Sequence, residues 1–194
     1  MSRNIQDFYV QAGETWHMVV RWGTDELTTV PITAITQAAP AQITAPNHGV
    51  PGGWPVAVNG AQGMNQINAR QYPPRGDEWR RSIFVDADNV ALADVSSADY
   101  STYLDGGFLV YSTPASLANQ QFTLNVYDTP EMNDTPLVTL TNPSGITVDP
   151  NAMTIVPLLQ TTGVTWQQGY YSLLVTDPSS GIVTELLRGV VTIQ

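Results

Sequence analysis

Apolar side chains in this chain recur at every second position, and a repeat near 3.6 is almost absent. Within residues 15–22, Trp16, Met18, Val20 and Trp22 share one side, while His17, Val19 and Arg21 take the other. Further on, Phe122, Leu124 and Val126 alternate with Thr123, Asn125 and Tyr127. Successive side chains of an extended strand point to opposite faces, so this spacing predicts half-buried strands. Near the end, GYYSLLVTD and GIVTELLRGVVTIQ flank PSS, which predicts two long strands joined by a tight turn. Fourteen prolines and fifteen glycines cut the remainder into short pieces. Short strands with such punctuation predict an all-β fold built as a sandwich or barrel.

Strand texture also changes along the chain. Residues 1–33 and 116–194 hold the long, well-alternating strands, whereas 34–115 hold shorter ones among denser Gly, Ala, Pro and Asp. This predicts a discontinuous β-sandwich, 1–33 with 116–194, carrying an inserted small β-barrel, 34–115. TVPIT and YSTPAS would be the exit and return points, since insertion is tolerated where both ends sit at one exposed loop.

Charge narrows the partners. Only 12% of residues are charged, about half the usual share. The net charge is −10, lysine is absent, and all seven basic residues are arginines. Such a surface repels nucleic-acid backbones and anionic membranes, so neither is an expected partner. Without cysteine there is no disulfide, thiolate zinc site or cysteine nucleophile. The polar start, MSRNIQD, predicts no secretory signal, and no apolar run approaches the ~18 residues of a membrane helix. Synthesis and folding in a cytoplasm are expected.

The stretch HGVPGGWPVAVNGAQGMNQIN, residues 48–68, tests whether the glycines cradle a phosphate. That would need a strand, glycines and a helix N-terminus in sequence. Neither G-x-G-x-x-G nor G-x-x-x-x-G-K-[ST] occurs, and two prolines follow instead of an amphipathic helix. NHG, PGG, NG and QG are turn chemistry around one short strand, WPVAVNG. No nucleotide cofactor is expected.

Two resemblances now appear, one wrapped around the other. Across about 32–111, the run APNHG, then GGWPVAVNGAQGMNQIN, SIFVDADN and YLDGGFLVY resembles a small β-barrel. That barrel is related to the first catalytic-cysteine half-domain of ubiquitin-activating enzymes and is frequent in tailed-phage virion proteins. The residues carrying it are Ala45, Pro46, His48, Gly49, Val56, Val58, Gly60, Gly63, Met64, Ile67 and Asn68, closing on Tyr103, Gly106 and Gly107. Ubiquitin activation is not implied, because there is no cysteine or adenylate site. The flanking segments are similar to the N-terminal domain of phage baseplate upper proteins. Gln11 and Gly13, then Leu140, Thr141, Gly145, Ile146 and Val148, carry the first part of that likeness. Gly169, Tyr170, Tyr171, Leu186, Leu187, Gly189, Val191 and Ile193 carry the rest. The resemblances imply a structural protein of a tailed-phage virion, in a tail, collar or baseplate. It would be made in bacterial cytoplasm and assembled with other virion proteins, as a homo-oligomeric ring. The alternatives are a host-glycan or receptor-binding module and a capsid decoration protein.

Candidate sites follow from these readings. RQYPPRGDEWRR gathers Arg70, Arg75, Arg80 and Arg81 around Tyr72 and Trp79. Arginines and aromatics together predict a docking patch for an acidic partner, against the plainer reading of a solvated hairpin tip. Arg75-Gly76-Asp77 spells an integrin motif but lacks an export signal. The terminal strand, with Val191 and Ile193, is expected to be an open edge suited to strand addition. Asp86, Asp88 and Asp94 are read as solvated acids and not a calcium loop. His17 and His48 stand alone, and Asn133-Asp134-Thr135 is a glycosylation acceptor of no consequence without export. Trp54 and Trp79 fill core in the preferred reading and stack on sugar in the glycan one. No serine elbow or other catalytic pattern is present. The expectation is therefore no enzyme activity, cofactor or metal.

Overall fold

The computed structural model describes residues 5–194, so the polar start lies partly outside it. The chain divides into two compact units, residues up to Trp22 with Ser116–Gln194, and Gly23–Ala115. In chain order the strands are β1 (Phe8–Val10), β2 (Thr15–His17), β3 (Gly23–Pro31), β4 (Ala34–Ile35) and β5 (Ala41–Thr44). Next come β6 (Pro55–Asn59), β7 (Arg80–Phe84), β8 (Asn89–Leu92), β9 (Phe108–Pro114) and β10 (Gln121–Tyr127). The last are β11 (Val138–Thr141), β12 (Ile146–Asp149), β13 (Thr154–Gln160), β14 (Gln168–Thr176) and β15 (Val183–Ile193). Two 3₁₀ turns, Asn65–Ile67 and Gly76–Glu78, are the helical elements among the described residues. The fold is all-β.

In the split unit, a five-stranded sheet in the order β1-β15-β14-β10-β11 faces a three-stranded sheet, β12-β13-β2. One apolar core takes side chains from both: Phe122, Leu124, Val126, Tyr171 and Leu173 from the larger sheet, Trp16, Ile146 and Ile155 from the smaller. This is a sandwich, and period two built it. Trp16 and Met18 are buried while His17 and Val19 are exposed, although the strand stops at His17. Parity outlasts the hydrogen-bonded ladder. At one end Phe8, Trp16 and Tyr171 cluster in tilted and edge-on contacts, with ring centroids 5.2–5.9 Å apart. The Tyr171 hydroxyl donates to the Gln6 carbonyl at 2.6 Å, and burial pushes this phenol well above its ordinary range.

The terminal strand is not an edge. β15 lies between β14 and β1, and β1 pairs parallel to it with Phe8 opposite Val191 and Val10 opposite Ile193. Val191 is fully buried in the core. The expectation of strand addition at Val191 and Ile193 is corrected: the chain's own beginning occupies that position. Gly189 makes this close approach work, since a Cβ there would sit 1.9 Å from the Gln6 carbonyl oxygen.

The contiguous unit is one seven-stranded sheet, β3-β9-β6-β7-β8-β5-β4. Its edge strands β3 and β4 are separated in sequence by Ile32 and Thr33 alone. A flat sheet of this order would hold its edges roughly 29 Å apart, whereas two residues reach about 10 Å. The sheet therefore curls into an open-sided barrel around Ile43, Val56, Val58, Val90, Leu92 and Leu109, all nearly inaccessible. Because β3 pairs with β9 at Gly23 and again from Leu27 to Pro31, residues 23–33 belong to the barrel. The first boundary thus falls at Gly23 and not after TVPIT, for the long alternation of β3 serves the inner unit's ladder.

The glycine stretch makes corners. Gly107, with φ +82°, has no room for a side chain, whose Cβ would lie 2.6 Å from the Ala61 nitrogen. His48 is buried among these turns. Its Nδ1 accepts from the Val50 N–H at 2.9 Å, so Nε2 carries the proton and donates to the Asp86 carbonyl at 3.0 Å. The Tyr111 hydroxyl then closes on the His48 carbonyl at 2.6 Å.

Candidate interface on the barrel

The arginine segment is held by a single carboxylate. Glu78 is buried and ends the 3₁₀ turn Gly76–Glu78. Its Oε2 accepts the Arg75 backbone N–H at 2.7 Å; its Oε1 accepts the Arg70 N–H at 2.7 Å and the Arg70 Nε at 3.0 Å. The two backbone donors, assisted by the guanidinium, hold the Glu78 carboxyl down at about 2. Arg70 also pairs with Asp77, so its charge is already answered within the chain. Arg70 thus builds the segment, while Arg75 presents an exposed side chain beside it. Tyr72 is exposed and Trp79 half-buried.

Strand geometry separates the last two arginines. On β7, Arg80 stands opposite Val56 and Arg81 opposite Pro55. Ser82 shares Arg80's side, is buried, and donates to the Pro51 carbonyl at 3.2 Å. Arg80 therefore belongs to the barrel's mouth, and Arg81 to its outer face with Ile83 and, just past the strand, Val85. The two arginines that a linear reading joined point to different surfaces. Ile83, Phe84 and Val85 are 46%, 54% and 46% exposed, three consecutive large apolar side chains on the surface. Phe84 meets the His48 ring edge-on, with centroids 6.1 Å apart.

Beside Arg80 the mouth holds a cavity of about 240 Å³, floored by Val58 and Leu92 and rimmed by Arg70, Asp77, Glu78 and Tyr100. The sequence carried no signal for it, because its walls come from five separate segments that meet only when the sheet curls. Among the described residues Arg75, Arg80 and Arg81 form no ion pair.

The other candidates resolve locally. Trp54 is 1% exposed and its Nε1 donates to the Ser112 carbonyl at 2.9 Å. It fills core and offers no face to a sugar. Asp86 accepts from the Asp88 and Asn89 backbone N–H groups and from the Asn89 amide, all at 2.9 Å, which shapes the β7–β8 turn. Those donors pull its carboxyl below the ordinary value. No group of three or more His, Asp or Glu side chains able to hold a metal occurs among the described residues. No helix among them is long and apolar enough to cross a membrane. His17 is exposed. Comparison with protein-family models and with curated proteins finds no match to the chain.

Proposed function

We propose that the chain is a structural component of a tailed-phage particle, in the tail, collar or baseplate, and that it works by protein–protein contact without a reactive centre. The observation that carries the reading is the barrel's outer face at β7, where exposed Ile83 and Val85 share a side with Arg81, which has no acidic partner among the described residues. Single exposed apolar residues are ordinary, but two large ones sharing a strand face with an unpaired arginine have the composition of an interface centre. A stable contact there would cover ~800 Å² on each partner. The assignment to a particle draws on the two resemblances and on their nested order along the chain. The virion is then where the chain resides after synthesis in bacterial cytoplasm.

Purified particles test this. Quantitative mass spectrometry of intact particles is expected to find the chain at a fixed ratio to tail proteins, with labelled copies imaged on the tail or baseplate. Absence from particles contradicts the reading, and label confined to the head would make it a capsid decoration.

A further inference from the structure

The mouth cavity has donors left over once its polar groups are accounted for. Glu78 is spent on Arg70 and Arg75, and Asp77 on Arg70. Asn68 is spent on Ala61, whose N–H it accepts at 2.9 Å and whose carbonyl it meets at 2.8 Å. The Gln66 amide nitrogen donates to the Ser101 hydroxyl. What remains is the Arg80 guanidinium and the Tyr100 hydroxyl, neither with a side-chain partner among the described residues. An arginine and a tyrosine lining one cavity with Val58 and Leu92 suit a carboxylate on a short aliphatic stem. A neutral sugar would want free acceptors next to those donors, and the local carboxylates that could serve are engaged.

A second feature supplies such a group. The loop 128–136 between β10 and β11 carries Asp128, Glu131 and Asp134, all exposed and without an ion pair among the described residues. Pro130 and Pro136 restrict it, which lowers the entropy lost on docking. Leu137 at its base is 41% exposed. Two copies carrying −10 each repel unless arginine meets acid, and among the described residues Arg75, Arg80 and Arg81, which form no ion pair, lie within residues 75–81.

We propose that the Arg80 cavity receives a carboxylate side chain from the 128–136 loop of a second copy of the chain. This rests on the assembly reading above and names its partner. One copy's barrel grips the next copy's sandwich, a head-to-tail contact that propagates into a ring or an open row.

Sedimentation velocity decides it. Wild-type protein at roughly 0.3 mM is expected to form oligomers, since even a Kd near 0.1 mM would show at that concentration. Arg80→Glu alone and the paired variant Glu131→Arg with Asp134→Arg alone are expected to be monomers, with wild-type circular dichroism. Mixed, an intact acidic loop meets an intact Arg80 cavity again, so association is expected to return although each variant alone is monomeric. Arg80→Gln, which keeps size and loses charge, is expected to weaken association at least about tenfold, and added salt to weaken the wild type. A monomeric wild type, or oligomers undiminished in either variant, overturns the proposal. So does a monomeric wild type whose Tyr100 and Arg80 resonances shift with free glucuronate, which would make the cavity an acidic-sugar site. Particles that incorporate Arg80→Glu normally overturn this contact and leave the assembly reading standing, whereas absence of the wild-type chain from particles overturns that reading itself.

Discussion

Among the described residues, the buried polar ones in the sandwich are Thr161 and Ser172; in the barrel they are His48, Glu78, Ser82 and Ser97. The sandwich is shaped by apolar alternation on two sheets and by the cluster of Phe8, Trp16 and Tyr171. The barrel has an apolar core of its own and adds buried polar side chains that hold loops to the sheet. Ser97, for example, donates to the Thr36 carbonyl at 2.6 Å and accepts from the Ala38 N–H at 3.2 Å. Apolar packing is tolerant of small change, while a buried hydrogen-bonded group has partners that are left unsatisfied when it goes. The two units should therefore respond differently to the same kind of substitution.

The largest expected effect lies in the sandwich. Phe122→Ala removes a fully buried ring from β10 and should lower stability by about 3–5 kcal/mol, read from the denaturant midpoint. A loss below about 1 kcal/mol would break the comparison, because it would mean the core there is not close-packed. In the barrel, His48→Phe keeps a ring of similar bulk but strands the Val50 N–H and the Asp86 carbonyl. A loss of about 2–3 kcal/mol is expected, and an apolar replacement that leaves stability unchanged would remove the polar-lock account.

Acid should act on the barrel through Glu78. Its folded-state value, about 2, lies below the ordinary 4.5, so its contribution is complete above pH 4.5 and disappears as pH falls toward 2. Glu78→Gln is expected to remove that part of the acid dependence while lowering stability at neutral pH; an unaltered acid profile would show the lock to be unimportant. The smallest effect is at Arg188, whose pairing with Glu185 at 2.8 Å is partly exposed. Arg188→Ala should cost less than about 1 kcal/mol in thermal unfolding.

The same contrast explains what the sequence disclosed. Phe122, Leu124 and Val126, or Trp16 and Met18, announce their burial because one sheet face buries every second residue. The strand faces and the β14–β15 hairpin were legible for that reason. Strand order was not: nothing local in Phe8–Val10 says that it will lie on Val191–Ile193, since parallel pairing depends on the whole sheet. In the barrel, the turn glycines marked corners, yet Glu78 looked like one acid in an arginine run, and its two backbone donors appear only in three dimensions. The placement of Arg80 and Arg81 on different surfaces follows from period two alone, once the segment is recognised as strand.

In the assembled state the barrel's exposed apolar residues are expected to be covered, and hydroxyl-radical footprinting measures that directly. Tyr72, Ile83, Phe84 and Val85 should oxidise readily in the free protein and lose most of that labelling inside the particle, while exposed Tyr9 on the sandwich serves as the internal reference. Equal labelling of these four residues in the free and assembled protein would contradict it.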